Sequence, residues 1–284
     1  MNWMDEGALY SQVSLFLRED LGRGDITSQA IVARNTRARG RFVAGEKMIV
    51  AGLEAAEEIF LILDSEQQLE AFVSDGEEIE AGKVIARMVG FADVLLAGER
   101  VALNLLQRLS AVATLTHRFV QAIAGTGAAI VDTRETTPGL RMLERYAVLL
   151  GGGSSQRFGL DDGVVITANH IAITGGIAAA VRNAKKHQGQ LHKIEVVVAN
   201  ASELREALSN GADSLLLDNL SPEEVSRLTI MAKDLSPTVA VKCAGNITLE
   251  NIRSYAEAAP IPIAVSALTS SAHAMDVSFQ LQPF

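Results

Sequence analysis

From Gly127 onward the chain alternates short β-branched runs with amphipathic helical stretches, and this rhythm constrains the fold more than any other feature. IVDTR, VVITA, KIEVVV, SLLLDN, VAVKCAG and PIAVSAL are the strand candidates, with helical patterns over 176–187, 201–210, 222–234 and 249–258 between them. A strand that returns through a helix must lie parallel to its neighbour and be covered on both faces. The spacing predicts a closed or nearly closed parallel barrel. Ser221-Pro222-Glu223-Glu224 reads as a helix start, with Ser221 as cap and Pro222 at the first helical position. Thr248 and Ser202 are candidate caps for their helices.

The N-terminal part has a different rhythm. Leu9, Val13, Phe16, Leu17 and Leu21 mark an amphipathic helix over 7–21. RGRFVA, KMIVAG, LEAFVS and KVIARMVG are strand-like, with a helix over 54–63 among them, which suggests a small α+β layer ending near residue 92. Residues 93–124 read as one long helix or two joined ones, with Asp93 as a candidate N-cap. Arg100, Arg108 and Arg118 fall toward its wetter side, where solvated surface is the simplest role.

Composition narrows the function classes. A chain of 284 residues with 48% hydrophobic and 21% charged residues can bury a large core. A net charge of −9 argues against a nucleic-acid surface. Cys243 is the lone cysteine, so an intrachain disulfide and a cysteine-based zinc site are excluded. No stretch reads as a signal peptide or membrane span, so a cytoplasmic protein with no membrane partner is expected.

Residues 130–171 concentrate the chemistry. Two strand ends, Thr133-Arg134 and Thr167-Ala168-Asn169-His170, flank a Thr-Thr-Pro-Gly turn and the glycines 151–153. Active sites of α/β barrels are built from such strand C-termini.

The motifs EDLGRGDITS, AGLEAAEEIF, ERVALNLLQRLSAVATLT, DTRETTPGLRMLERYAVLLGGG, RFGLDDGVVI, NHI, KIEVVV, GADSLLLDNLSPEE and ITLENIRSYAE together resemble the quinolinate phosphoribosyltransferase family over nearly the whole chain. The resemblance implies an α/β fold: an incomplete parallel α/β barrel plus an N-terminal α+β open-faced sandwich domain. Residues 1–112 would form the sandwich and linking helix, 113–272 the barrel, and 273–284 a segment packing back on the N-terminal domain. It further implies a homodimer in which Arg108 stands near the partner's site. The family transfers ribose phosphate from phosphoribosyl pyrophosphate to the quinolinate nitrogen and releases carbon dioxide, with Mg2+ on the pyrophosphate. Arg134, Arg157 and Asp218 match its pocket.

Other pocket positions depart from the family. Glu135 stands for a lysine, Ser155-Gln156 for Asn-His, Thr167-Ala168 for Lys-Asp, and Val197 for a glutamate. Lys242 stands for a glutamate, Ala244 for a phosphate-binding serine, and Ser266 and Ser270 for glycine and histidine. Reversing one charge at about 5 Å and an effective dielectric of about 20 costs roughly 6 kcal/mol before screening. Loss of the native transferase activity is therefore expected.

Lys242 introduces an amine where the neighbouring positions have become apolar. Strand alternation puts Ala240, Lys242 and Ala244 on one face and Val241 and Cys243 on the other. The leading expectation is an engineered pocket in which Lys242 forms a Schiff base with a small carbonyl substrate, as in a retro-aldolase-type lyase. Glu135, Asp218 or a water on Ser266 would move protons. Arg108, Arg134, Arg157, Thr167, Val197, Ala244 and Ser266 would line the substrate, with no metal or cofactor. Against this stands pairing of Lys242 with Asp218 or Glu195, which would make it structural. The alternatives are a divergent phosphoribosyltransferase forming a nicotinate-type nucleotide with Mg2+, and a non-catalytic family member. Cys243 reads as packing, and His170 as a hydrogen-bonded structural histidine.

Overall fold

The computed structural model describes residues 6–187, 189 and 192–283. They form two compact units: the described residues within 6–117, 136–152 and 271–283, and those within 118–135 and 153–270.

The first unit begins with α1 (Glu6–Leu21) and α2 (Ile26–Ile31). Asp25 starts α2 by accepting the backbone N–H of Thr27 and Ser28 at 3.0 and 3.1 Å. Then come β1 (Arg37–Ala44), β2 (Met48–Ile49), α3 (Leu53–Leu63), β3 (Leu69–Ala71), β4 (Glu78–Ile79) and β5 (Val84–Phe91). The strand patterns RGRFVA and KMIVAG are both present but do not pair with each other. β1 lies between β5 and the chain's last strand, Val277–Pro283, both antiparallel to it, whereas β2 pairs with β4. β1 alternates buried and outward residues, as a sheet with one covered face requires. Its inward Phe42 meets Phe279 with ring centroids 4.5 Å apart, and Phe60 of α3 lies 6.3 Å from Phe42. Gly40 is needed beside them, because a Cβ there would collide with the Phe279 ring.

A single helix, α4 (Ala92–Ala122), follows, rather than two joined ones. Asp93 lies inside its first turn, two residues past the cap position, and is not the expected cap; its side chain accepts from Val94 N at 3.0 Å. Thr114 and Ser110 of this helix accept the N–H groups of Ile49 and Ala51 at 2.8 and 3.1 Å.

Asp75 ties a turn to α3. It accepts the N–H groups of Gly52 and Leu53 and the phenol of Tyr146, the last at 3.0 Å. Burial raises the Asp75 carboxyl above its ordinary 3.8, despite the two backbone N–H donors that oppose the shift. The folded state therefore holds this proton more tightly than the unfolded chain does. Its contribution to stability is complete below about pH 3.8 and is lost as pH rises through the raised value. Asp75→Asn is expected to flatten the fall in melting temperature from pH 4 toward neutrality. Parallel melting curves of the two proteins test this, and an unchanged slope refutes it.

The second unit holds β6 (Ala129–Val131), and α5 (Arg141–Leu150) follows it in the chain as part of the first unit. Then come β7 (Val164–Ile166), α6 (Ala168–Thr174), α7 (Ile177–His187), β8 (Ile194–Val198), α8 (Ala201–Ser209), β9 (Ser214–Asp218), α9 (Pro222–Leu235), β10 (Ala240–Ala244), α10 (Ile252–Ala258), β11 (Pro262–Ala264) and α11 (Ala267–Ser270) of the second unit, and the last strand, β12 (Val277–Pro283), of the first. The sheet runs β6-β11-β10-β9-β8-β7 with every pair parallel. A parallel bridge from Val131 to Ser154 adds one more strand position beside β6. No described ladder joins that position to β7, so the ring of strands is incomplete. The α/β fold and the antiparallel N-terminal sheet match the expectation.

Ser221 caps α9 through Glu224 N at 3.3 Å, with Pro222 at the first helical position. Two expected caps are corrected. Asn200, not Ser202, caps α8, accepting from Ser202 N and Glu203 N at 3.0 Å each. Asn251 precedes α10 and accepts from Thr248 N at 2.8 Å, so Thr248 acts as a donor in the turn. Asparagine caps as well as serine does, and both serine and threonine stood within a few residues of it.

Candidate active site

In the second unit, strand direction puts the C-terminal strand ends together. Asp132, Thr133 and Arg134 follow β6, Ser155–Arg157 follow the bridge at Ser154, Thr167 follows β7, Asp218 and Ala244 end β9 and β10, and Ser266 follows β11. Asp132 is 1% exposed and organises this end. It accepts Ser155 Oγ at 2.7 Å and Gln156 N at 2.8 Å, which fixes where Arg157 begins. Ser155 is thus a hydrogen-bond donor to the framework. Asp132 was not singled out from sequence, although a carboxylate directly after an apolar strand is a visible signal.

Arg134 and Arg157 are the cations of this end. Desolvation lowers the Arg157 guanidinium, and the positive charge of Arg134 lowers it further. Arg157 Nη1 donates to Gly163 O at 2.7 Å, which aims the side chain across the gap before β7. Arg134 is exposed, with no hydrogen bond or ion pair among the described residues. The carboxylates of Glu195 and Asp162 oppose this lowering without reversing it; an anion placed between the two guanidinium groups would relieve their repulsion and take up their N–H groups.

Glu135 is exposed; its carbonyl accepts Thr269 Oγ1 at 2.6 Å. Thr167 N donates to His170 Nδ1 at 3.1 Å, which binds the histidine to the start of α6 as a structural group. Asp218 is half-buried with no hydrogen bond or ion pair among the described residues. Val197 shares the inward face of β8 with Glu195, and Ala244 shares that of β10 with Lys242. Ser266 O accepts Ser270 Oγ at 3.0 Å. Cys243 is fully buried on the opposite face of β10, and burial pushes its thiol up to about 12, so it packs and does not react.

Lys242 is not a free amine. Its Nζ lies 2.8 Å from Glu195 Oε2 and also donates to Gln156 Oε1. Ser214 Oγ donates to the same Glu195 oxygen at 3.0 Å. Both partners of Lys242 are acceptors, so two of its three ammonium hydrogens are committed. The pairing left open in the sequence falls to Glu195 rather than Asp218. β9 lies between β8 and β10, so Glu195 and Lys242 reach each other over roughly 10 Å of sheet. Asp218 pairs in register with Ala244, a full side-chain period beyond Lys242 and Leu216.

Arg108 belongs to the first unit and is not a solvated surface group. Its Nε and Nη2 donate to Glu144 Oε1 at 3.0 and 2.7 Å, and Nη1 donates to Ala272 O at 2.9 Å. Glu144 is fully buried and also accepts Thr137 N at 2.9 Å. The partnership was not visible in the sequence, where the two residues stand far apart in separate helical patterns.

Residues 112–280 match the C-terminal domain, and 25–110 the N-terminal domain, of quinolinate phosphoribosyl transferase. The chain belongs to the quinolinate phosphoribosyltransferase family. It is similar to the probable nicotinate-nucleotide pyrophosphorylase (carboxylating) of Bacillus subtilis, 40% identical over 94% of this chain and 91% of that protein. The protein of the same name from Synechocystis is 38% identical over 94% and 90%. Among solved structures, the nicotinate-nucleotide pyrophosphorylase of Francisella tularensis superposes with a TM-score of 0.91 at 35% identity, covering 98% of each chain.

These findings overturn the expected engineered retro-aldolase-type lyase. Family relatives of this identity carry a transferase name along nearly their whole length. The proposed nucleophile is held as an ion pair, and with it falls the proton-transfer role assigned to Glu135 and Asp218 beside Lys242. The expected carbonyl substrate and the expected loss of transferase activity go with that reading. The charge-reversal argument at Glu135 fails physically because its side chain is exposed, where screening removes most of the cost assigned to it.

Proposed function

We propose that the chain is a phosphoribosyltransferase that joins the ribose phosphate of phosphoribosyl pyrophosphate to the ring nitrogen of a pyridine carboxylate. The products are a nicotinate-type mononucleotide and pyrophosphate. The observation that carries this reading is the guanidinium pair Arg134 and Arg157 at the strand ends, suited to a carboxylate or phosphate. The relatives' names support it. In the reaction the ring nitrogen bonds to the ribose C1 as the bond from C1 to the pyrophosphate oxygen breaks. With quinolinate as acceptor, the carboxyl group next to the nitrogen leaves as carbon dioxide, and the ring carbon that carried it keeps the electron pair and takes a proton. Arg134 and Arg157 hold the acceptor's carboxylate and so fix the direction in which its nitrogen faces.

The resemblance implies Mg2+ in place of the cofactor-free site expected for a lyase. No group of three or more His, Cys, Asp or Glu able to hold a metal occurs among the described residues. Mg2+ carried on a substrate pyrophosphate needs only one or two carboxylates beside phosphate oxygens and water. Asp218, half-buried and without a hydrogen bond or ion pair among the described residues, fits that demand. When bound, the ion would neutralise the pyrophosphate leaving group. The homodimer belongs to the same reading, with Arg108 beside the partner's site as the family resemblance implies.

Purified protein incubated with phosphoribosyl pyrophosphate, Mg2+ and either quinolinate or nicotinate is expected to yield mononucleotide and equimolar pyrophosphate by chromatography. No nucleotide from either acceptor would sink the proposal and favour a non-catalytic family member.

A further inference from the structure

The antiparallel sheet of the first unit buries one face, and the outward residues of its other face are exposed or half-buried. On β1 the outward positions hold Arg37, Arg39 and Arg41, alternating with the buried Ala38, Gly40 and Phe42. β5 adds Arg87, in register with Arg41, and Phe91, in register with Arg37. β12 places Gln280 and Gln282 opposite Arg41 and Arg39. Among the described residues, the carboxylate at an outward position of these strands is Glu70 of β3, which faces Arg87. Four arginines thus stand against one glutamate, in a chain whose acidic residues outnumber its basic ones by 34 to 25.

The sheet holds these cations without neutralising them. The Arg37 guanidinium carbon lies 5.3 Å from the centre of the Phe91 ring, and that of Arg87 lies 5.8 Å from the centre of the Phe72 ring. A ring contact uses the flat face of a guanidinium and leaves its N–H edge for an acceptor. Arg41 Nη2 donates to Gln280 Oε1 at 3.4 Å, a neutral acceptor. Arg87 Nε donates to Glu70 at 2.8 Å. Asp64 lies within the field of Arg37 but already accepts Gln67 Nε2 at 2.7 Å and Glu66 N at 3.1 Å. Like charges directly opposite on neighbouring strands destabilise a sheet, so the Arg41–Arg87 register carries a cost that an external anion would relieve.

We infer that this face docks an acidic, extended segment of a partner protein, laid along β1 with its carboxylates on Arg37, Arg39 and Arg41. Alternate residues of a strand repeat at about 6.8 Å, and alternate side chains of an extended segment repeat at the same distance. A second copy of this face is a poor occupant, because a twofold contact would set arginine against arginine. Single-stranded nucleic acid binds by stacking bases on aromatic rings, and Phe72 and Phe91 each already carry a guanidinium. The inference rests on charge complementarity in the first unit and does not depend on the transferase reading.

The probe is the peptide Glu-Thr-Glu-Thr-Glu-Thr, titrated at low ionic strength into the full chain with methyl-labelled valine. Saturating shifts are expected at Val43 and Val89, which lie half-buried on this face, and none at the buried Val196 of the second unit. The same peptide with lysine in place of glutamate is expected to give no shift. Arg39→Glu is expected to weaken binding about tenfold, through one lost attraction and one new repulsion between exposed charges. Arg37→Glu is expected to do the same and serves if Arg39→Glu melts lower than the parent. Arg227→Ala, which removes an exposed cation of α9, is expected to change nothing. Absence of saturable shifts at Val43 and Val89, or an equal loss in Arg227→Ala, would overturn the inference. So would tighter binding of a single-stranded oligothymidylate, or a change of oligomeric state in Arg39→Glu, which would assign the face to copies of this chain.

Discussion

Replacing Lys242 by Met is expected to destabilise the second unit by about 3 kcal/mol or more, read as a lower urea midpoint. The cause is not the loss of a favourable contact alone. Glu195 would remain in the sheet interior at 10% side-chain exposure, with a hydroxyl as its remaining partner. Removing one partner of a buried ion pair typically costs about 3–5 kcal/mol, since the other charge stays desolvated. Gln156 would lose its donor as well. The double variant K242M/E195M removes both charges and is expected to recover much of the loss, which yields a large coupling energy between the positions. A single variant within about 0.5 kcal/mol of the parent, the range of ordinary surface substitutions, would show that the pair contributes nothing.

Arg134→Ala is expected to lower kcat/KM for nucleotide formation by about 10²-fold while leaving the melting temperature unchanged. Arg134 touches no other described side chain through a hydrogen bond or ion pair, so the fold does not depend on it. Its charge acts on Arg157, and removing it leaves one guanidinium to hold an acceptor carboxylate that two would hold. Charge-assisted hydrogen bonds to a reacting anion are commonly worth that much in rate. Arg134→Lys keeps the charge but loses the planar fork, so an intermediate rate is expected. An Arg134→Ala enzyme as active as the parent would remove the guanidinium pair from the site. A fall in melting temperature alongside the fall in rate would mean that the residue is structural.

Local patterns carried most of the architecture. The β-branched runs and the helices between them are where periodicity puts them, and a parallel sheet follows from that alternation. The last strand was another matter. Its antiparallel pairing with β1 joins Ala38 to Pro283 and Phe42 to Phe279 across most of the chain, and no local period encodes a partner that remote. Caps erred by two or three residues because several residues capable of capping stood together before α8 and α10.

The candidate site divides along the same line. By itself the sequence determined the family, the inward face of β10 and the strand ends that carry Arg134, Arg157 and Asp218, because alternation and strand direction are properties of neighbours along the chain. Only the tertiary structure decided what Lys242 does. Asp218 and Glu195 were both plausible partners in sequence, and the choice depended on two long side chains meeting across an intervening strand. The same is true of Arg108, whose place on a wet helix face hid the buried Glu144 that holds it. Whether a charge is free or paired is set by distance in space, and the order of residues does not contain that distance.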